Sequence, residues 1–198
     1  GAGAGSTIID AAMLDRVFHV LPGISLTLED LTIQNGLADS GMGTFGNFAG
    51  GILVENNLPI PPGPNDPATV NLNNVVVQNN EAAESAGGIL NIGNLIVNNS
   101  SISNNTSSGG SGGGGIFNNS NSTTAQINNS TIANNTAAAA EGGGIFNASD
   151  ITLQNSTISG NDSAGSGAGI INTGGQLDIE SNTIFNNVST FGVGGINV

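Results

Sequence analysis

A chain of 198 residues with one basic side chain against fourteen acidic ones carries a formal net charge of −13. It therefore lacks the basic footprint that nucleic-acid binding needs and is repelled by anionic lipid surfaces. There is no cysteine, so no disulfide and no thiol chemistry, and no apolar run is long enough to cross a bilayer, so neither nucleic acid nor membrane insertion is expected.

In chain order the first readable element is STIID at residues 6–10, and its start at Gly1 rather than Met, without a signal peptide, points to processing or to excision from a longer polypeptide. Residues 10–20 read in two ways. Met13, Leu14, Val17, Phe18 and Leu21 have helical spacing, which suits a short capping helix with Asp10 as N-cap. The same stretch ends in VFHV, which suits a strand.

From residue 25 a twelve-residue phrase recurs six times, at 25–36, 69–80, 94–105, 124–135, 150–161 and 176–187. A shorter Gly-Ile phrase recurs with it: GGILVEN, GGILNIG, GGIFNNS, GGIFNAS, AGIINTG and a last GGINV. Successive Gly-Ile phrases are 37, 27, 29, 25 and 26 residues apart, and such a period is the signature of a solenoid. Within each twelve-mer the second and fourth columns are apolar and the residues between them mostly polar, which is a half-buried strand. The ninth column (Ile33, Val77, Ile102, Ile132, Ile158, Ile184) marks a second short strand, and the Gly-Ile phrase a third. The expected fold is all-β, a right-handed parallel β-helix of about seven coils with three short strands per coil. It forms one domain over residues 1–198, with inserted loops near 36–50 and 56–68. Those insertions, the second rich in proline, are expected to extrude from one corner as surface loops.

Two columns are expected to hold the coils in register. The sixth reads Asp30, Asn74, Asn99, Asn129, Asn155, Ser181, residue types that tolerate tight bends. The twelfth reads Asn80, Asn105, Asn135, Asn161, Asn187 in the later copies. Stacked about 4.8 Å apart, like amides can bond one another, so Asn74, Asn99, Asn129, Asn155, Asn80, Asn105, Asn135, Asn161 and Asn187 are assigned to structural ladders. The N-x-[ST] matches at Asn99, Asn129 and Asn155 follow from the repeat's own wording rather than from glycosylation.

STIIDAAMLDRVFHVLPGISLTLEDLTIQNG, followed by the GGIFN and TISGN coils, resembles the right-handed parallel β-helix repeats of bacterial exported surface proteins, of the polymorphic outer-membrane-protein-like and adhesin-like kinds. The resemblance covers nearly the whole chain. It implies an extracellular or bacterial cell-surface place, and it favours VFHV as the first coil's counterpart of GGIFN. It does not select a function, because such repeats serve adhesins, passenger domains and polysaccharide-active enzymes alike.

No catalytic constellation is legible, and no cofactor or metal is called for. Arg16 and His19, both in the first coil, read as a solvated loop cation and a surface histidine. Glycoside hydrolysis needs two carboxylates close together, but Glu29/Asp30 and Asp178/Glu180 belong to the first and last twelve-mers. No calcium-loop motif occurs, although Glu81, Glu84 and Glu141 lie in corners that could hold ions loosely. An ice-matching face needs two threonine columns; column eight (Thr32, Val76, Ser101, Thr131, Thr157, Thr183) supplies most of one and column ten supplies none. The ends look uncapped. Ser6, Thr7, Ile8 and Ile9 at one end and Ile196, Asn197 and Val198 at the other are assigned as stacking ends, and head-to-tail contact of that kind builds filaments. The expected function is a structural β-solenoid subunit of an extracellular or cell-surface fibre, whose partner is a second copy or adjoining repeats of a longer chain. The alternatives are an adhesin or carbohydrate-binding module meeting surface glycans through corner loops, and then a polysaccharide lyase or hydrolase.

Overall fold

The computed structural model describes residues 3–39, 46–56, 66–119 and 124–198, and its described residues contain strands and turns but no helix. All strand pairs are parallel, and they stack into a β-solenoid of about seven windings. Each winding runs through four sheets in order. The first sheet holds columns one to five of the twelve-mer, from Ser25–Glu29 to Leu177–Glu180. The second holds columns eight to ten, from Ile8–Asp10 to Thr183–Phe185. The third is the Gly-Ile phrase, from Phe18–Val20 to Ile196–Asn197. These are the three strands per coil that the periodicity predicts. The fourth column of strands, two residues each, from Leu37–Ala38 to Val188–Ser189, lies between the second and third sheets.

Register follows the sequence columns residue for residue. Leu95 pairs with Val70 on one side and Ala125 on the other, and Ile132 with Ile102 and Ile158. Columns two, four and nine and the Ile of each Gly-Ile phrase all point inward. Val70, Leu95, Ile127, Leu153, Ile102 and Ile145 are fully buried in one continuous core. A one-residue slip would turn each of these outward and put polar neighbours in their place, so the apolar columns enforce the stacking register.

The bends are made by column six, where Asp30, Asn74, Asn99, Asn129, Asn155 and Ser181 all have φ between 49° and 56°. Column eleven does the same with Asn35, Asn79, Asn104, Asn134 and Asn186, and with Gly160. Asn and Asp reach this left-handed region at little cost because their side chains bond locally. Residues 10–20 resolve to turn and strand. Asp10 Oδ1 accepts from the Ala12 amide at 2.8 Å, closing a turn, and Phe18–Val20 pairs with Ile52–Val54.

The described end of the 36–50 insertion, expected to extrude, is folded against the solenoid instead, with Ala49 fully buried. The middle residue of each third-sheet strand points out of the solenoid, and Leu53 and Leu90 there are buried against Ala49, Ala86 and Ile92 in a second apolar cluster. Phe117 packs on this cluster and meets Phe146 edge-to-face at 4.9 Å between ring centroids. The corners are thus folded back over an apolar outer face, which would otherwise be wet. The proline-rich stretch at 57–65 and residues 40–45 lie outside the described residues.

The second glycine of each Gly-Ile phrase sits where backbones from adjacent windings nearly touch. A Cβ on Gly144 would stand 2.6 Å from the Gly169 carbonyl oxygen and 3.0 Å from Asn161 Nδ2, whereas one on Gly110 meets nothing within 4 Å. Gly144→Ala is therefore expected to lower the unfolding free energy by about 1–3 kcal/mol, and Gly110→Ala to change it by less than about 0.5 kcal/mol, both read by denaturant titration.

Candidate functional site

The densest polar chemistry in the molecule is a file of buried carboxamides at the corner between the second and fourth sheets. Asn80, Asn105, Asn135 and Asn161 are at most 1 % exposed. Each Nδ2 donates to the Oδ1 of the next Asn up the stack, at 2.9, 3.0, 3.0 and 2.9 Å, ending on Asn187. The same Oδ1 also accepts the backbone N–H of the Asn below, at 3.0–3.1 Å. The second Nδ2 hydrogen of Asn105, Asn135, Asn161 and Asn187 goes to the carbonyl of Val77, Ile102, Ile132 and Ile158. Asn105, Asn135 and Asn161 therefore use two donors and two acceptor sites, the full capacity of a carboxamide. At the bottom Gly36 replaces Asn, and its N–H still reaches Asn80 Oδ1 at 2.9 Å. The Gly-Ile phrase and the twelfth column are one device: Gly51, Gly88, Gly115, Gly144 and Gly169 leave the space that the ladder amides fill, at 2.9–3.2 Å from a Cβ placed on them.

A second buried ladder went unread in the sequence. Asn91, Asn118 and Asn147 bond upward, Nδ2 to Oδ1, at 2.9, 2.7 and 2.6 Å, ending on Asn172. The signal was the Asn that ends GGILN and GGIFN. Asn91 Oδ1 is left buried without a partner, because the register below it places Val54. Column seven adds a hydroxyl file, in which Ser100, Ser130 and Ser156 accept the amide N–H of Val75, Ser100 and Ser130.

Column six is not a ladder. Asn99, Asn129 and Asn155 are exposed bend residues, and the side-chain bond along this column among the described residues joins Asn74 to Asp30 at 2.6 Å. The ladder on that face is column five instead, where Asn128 donates to Asn98, Asn98 to Asn73 and Asn73 to Glu29 at 3.0, 3.1 and 3.2 Å.

Those bonds give the acids a place. Glu29 accepts the downward end of the column-five file, Asp30 accepts the single Asn74 amide above it, and Glu180 accepts Gln154 Nε2 at 2.9 Å at the other end of column five. Asp178 accepts Gln176 Nε2 at 2.9 and 3.1 Å. Asp10 accepts Gln34 Nε2, Asn35 Nδ2 and the Ala12 amide. A carboxylate has only acceptors, so it suits the end of a donor file. The bonds from Gln34, Ala12 and Asn35 hold the Asp10 carboxyl below its usual range. Among the described residues no three His, Cys, Asp or Glu side chains gather as a metal site would require.

The first-coil cation also differs from expectation. Arg16 is half-buried rather than solvated. Its Nε donates to the Ala49 carbonyl at 2.9 Å and its Nη2 to Phe48 at 2.7 Å, pinning the corner that covers Leu53, and burial lowers its pKa. His19 is exposed at the surface and pairs with Glu55 at 3.0 Å.

The expected stacking ends lie on the two terminal windings. Ile8 and Ile9 form the lowest second-sheet strand, with Ser6 and Thr7 in the turn before it, and Ile196 and Asn197 the highest third-sheet strand, with Val198 after it. Every large apolar side chain that is exposed among the described residues falls within residues 8–24 or 179–198. Comparison with known proteins finds no match to a family model, to a curated protein or to a solved structure.

Two outcomes follow. Asn135→Leu keeps the branching and the number of side-chain heavy atoms but strands the Asn105 amide donors and the Ile102 carbonyl, each worth about 1–3 kcal/mol when buried unsatisfied. The unfolding free energy is expected to drop by at least about 3 kcal/mol, against less than about 0.5 kcal/mol for the exposed bend change Asn129→Asp. For Asp10 the folded state favours the carboxylate, so its contribution is present above the normal carboxylate range and is lost as pH falls through its own lowered value. Asp10→Asn should therefore flatten the fall of the thermal midpoint below about pH 4, measured by calorimetry across the acid range.

Proposed function

We propose that the chain is a structural β-solenoid subunit of an extracellular or cell-surface fibre, extended by coil-on-coil stacking of further copies head to tail. One observation supports this most: among the described residues, exposed large apolar side chains are confined to the two terminal windings. Leu14 is 85 % exposed at one end and Phe191 80 % at the other, while the windings between them keep their apolar columns buried. Both ends also carry free strand edges of the same parallel sense. Stacking sets Ile8–Asp10 of one copy over Thr183–Phe185 of the next, and Phe18–Val20 over Ile196–Asn197, which continues the second and third sheets and covers these side chains. The contact is heterologous, so it propagates into an open filament.

The middle windings suit such a passive role. Their faces are short polar side chains held in files, and the acids at the ends are engaged as hydrogen-bond acceptors of neighbouring amides. Nothing on those faces singles out a glycan platform, since the exposed phenylalanines among the described residues, Phe185 and Phe191, belong to the last winding.

Analytical ultracentrifugation with electron microscopy tests the reading. The chain is expected to form rods whose length rises with concentration. Ile8→Asp and Val198→Asp, both on exposed side chains, should each shorten them, with folding unchanged by circular dichroism. A monodisperse single chain at high concentration would refute the proposal.

A further inference from the structure

The corner between the third and first sheets brings two distant segments into contact. Residues 21–24 form a turn closed by the Ile24 N–H on the Leu21 carbonyl at 3.2 Å. Pro22 and Gly23 occupy its centre, Gly23 with φ 77°, the Pro-Gly order that a type II turn takes. The turn does not use the Gly23 N–H, which donates instead to the Asp66 carbonyl at 2.7 Å. The Asp66 carboxylate lies against the same glycine, since a Cβ on Gly23 would stand 3.2 Å from its Oδ2. Just downstream the chain is held again. Ala68 N–H donates to the Glu55 carbonyl at 2.8 Å and Thr69 N–H to the Ile24 carbonyl at 2.9 Å. Asp66 is exposed, and it is the one Asp in the sequence that precedes a proline.

We infer that the Asp66–Pro67 peptide bond is a self-cleavage site, with the Asp66 carboxyl as nucleophile, the Gly23 N–H as oxyanion donor and water as co-reactant. A carboxyl oxygen of Asp66 adds to the carbonyl carbon of the same residue, closing a five-membered ring and driving negative charge onto the carbonyl oxygen. The Gly23 N–H already faces that oxygen at the distance at which oxyanion donors act. The C–N bond to Pro67 then breaks, the carboxyl proton passes to the proline nitrogen, and a cyclic anhydride is left on residue 66. Water opens the anhydride, so Asp66 becomes a new C-terminus and Pro67 a new N-terminus. Proline suits the bond for a separate reason. At another Asp–X bond the following amide nitrogen can attack the side-chain carboxyl and close an imide, but Pro67 has no N–H, so that route is shut. The cut falls between windings. The two pieces stay joined where Ser25–Glu29, Thr32–Gln34, Leu37–Ala38 and Ile52–Val54 pair with the strands above them, so the product is a two-chain solenoid.

Purified chain is incubated in mild acid, with folding followed by circular dichroism. Mass spectrometry after denaturation should find two products matching residues 1–66 and 67–198, while gel filtration of the folded material keeps them together. The folded chain should be cut at least about tenfold faster than the same chain in denaturant at the same pH, because unfolding keeps the Asp–Pro bond but removes the Gly23 donor. Asp66→Asn, at an exposed position, should slow the cut at least about tenfold by removing the nucleophile, and Pro67→Ala should slow it as well. No product beginning at Pro67, a cut in Asp66→Asn at the parent rate, or a folded chain cut no faster than the unfolded one would each overturn the inference. None of these results bears on filament assembly, which is read from the uncut chain.

Discussion

A carboxamide removed from water must find partners for two hydrogens and two lone pairs, and in the twelfth column it finds them only in the windings directly above and below. That constraint organises the molecule. Asn105, Asn135 and Asn161 are satisfied when the next Asn lies one winding away in strict register and the carbonyl of column nine lies one winding below. Leaving one such group unmet is worth more than most single contacts, so a winding that slips or splays loses several bonds at once. Apolar columns alone forbid a one-residue slip, but a two-residue slip returns apolar side chains to the inner face. The ladder forbids both. It also explains why glycine recurs opposite it, since a side chain on Gly115 or Gly144 would occupy the space of the amide.

Stacking of this kind makes stability nearly one-dimensional: each winding is held by its two neighbours, and a terminal winding by one. Burial follows. Ile158 in the fifth twelve-mer is fully buried, while Ile184, its counterpart in the last, is only partly so. The amides of column five, which run along the outside, meet the same limit differently. They stop on carboxylates, Glu29 at one end and Glu180 at the other, which need no donor of their own. Acids at the rim of a sheet also discourage indiscriminate pairing between strand edges.

Most of the fold was legible because its signals are periodic. Columns two, four, six and nine each repeat six times, and one wrong residue in such a column does not hide it. The twelfth-column ladder was legible for the same reason. What escaped reading depends on contacts between different columns. The two-residue fourth-sheet strands are too short to alternate visibly. The ladder from Asn91 to Asn172 spans four windings, with Val54 below it. Column six looked like a ladder because it is rich in Asn, yet its residues were selected for left-handed backbone and face solvent. The glycine-rich corners read as loops to be thrown outward, but the middle residues Leu53, Leu90, Phe117 and Phe146 of the third sheet needed a cover, and the corners supply it. Arg16 read as a surface cation because sequence does not reveal that the carbonyls of Phe48 and Ala49, more than thirty residues away, come within its reach.

The most direct measurement of the central claim is hydrogen exchange at the side-chain amides themselves, followed by nuclear magnetic resonance. If the twelfth-column carboxamides are locked between windings, the Nδ2 hydrogens of Asn105, Asn135 and Asn161 will exchange only on global unfolding, while those of the exposed Asn99, Asn129 and Asn155 exchange at the rate of free peptides. Equal, fast exchange in both columns would contradict the account.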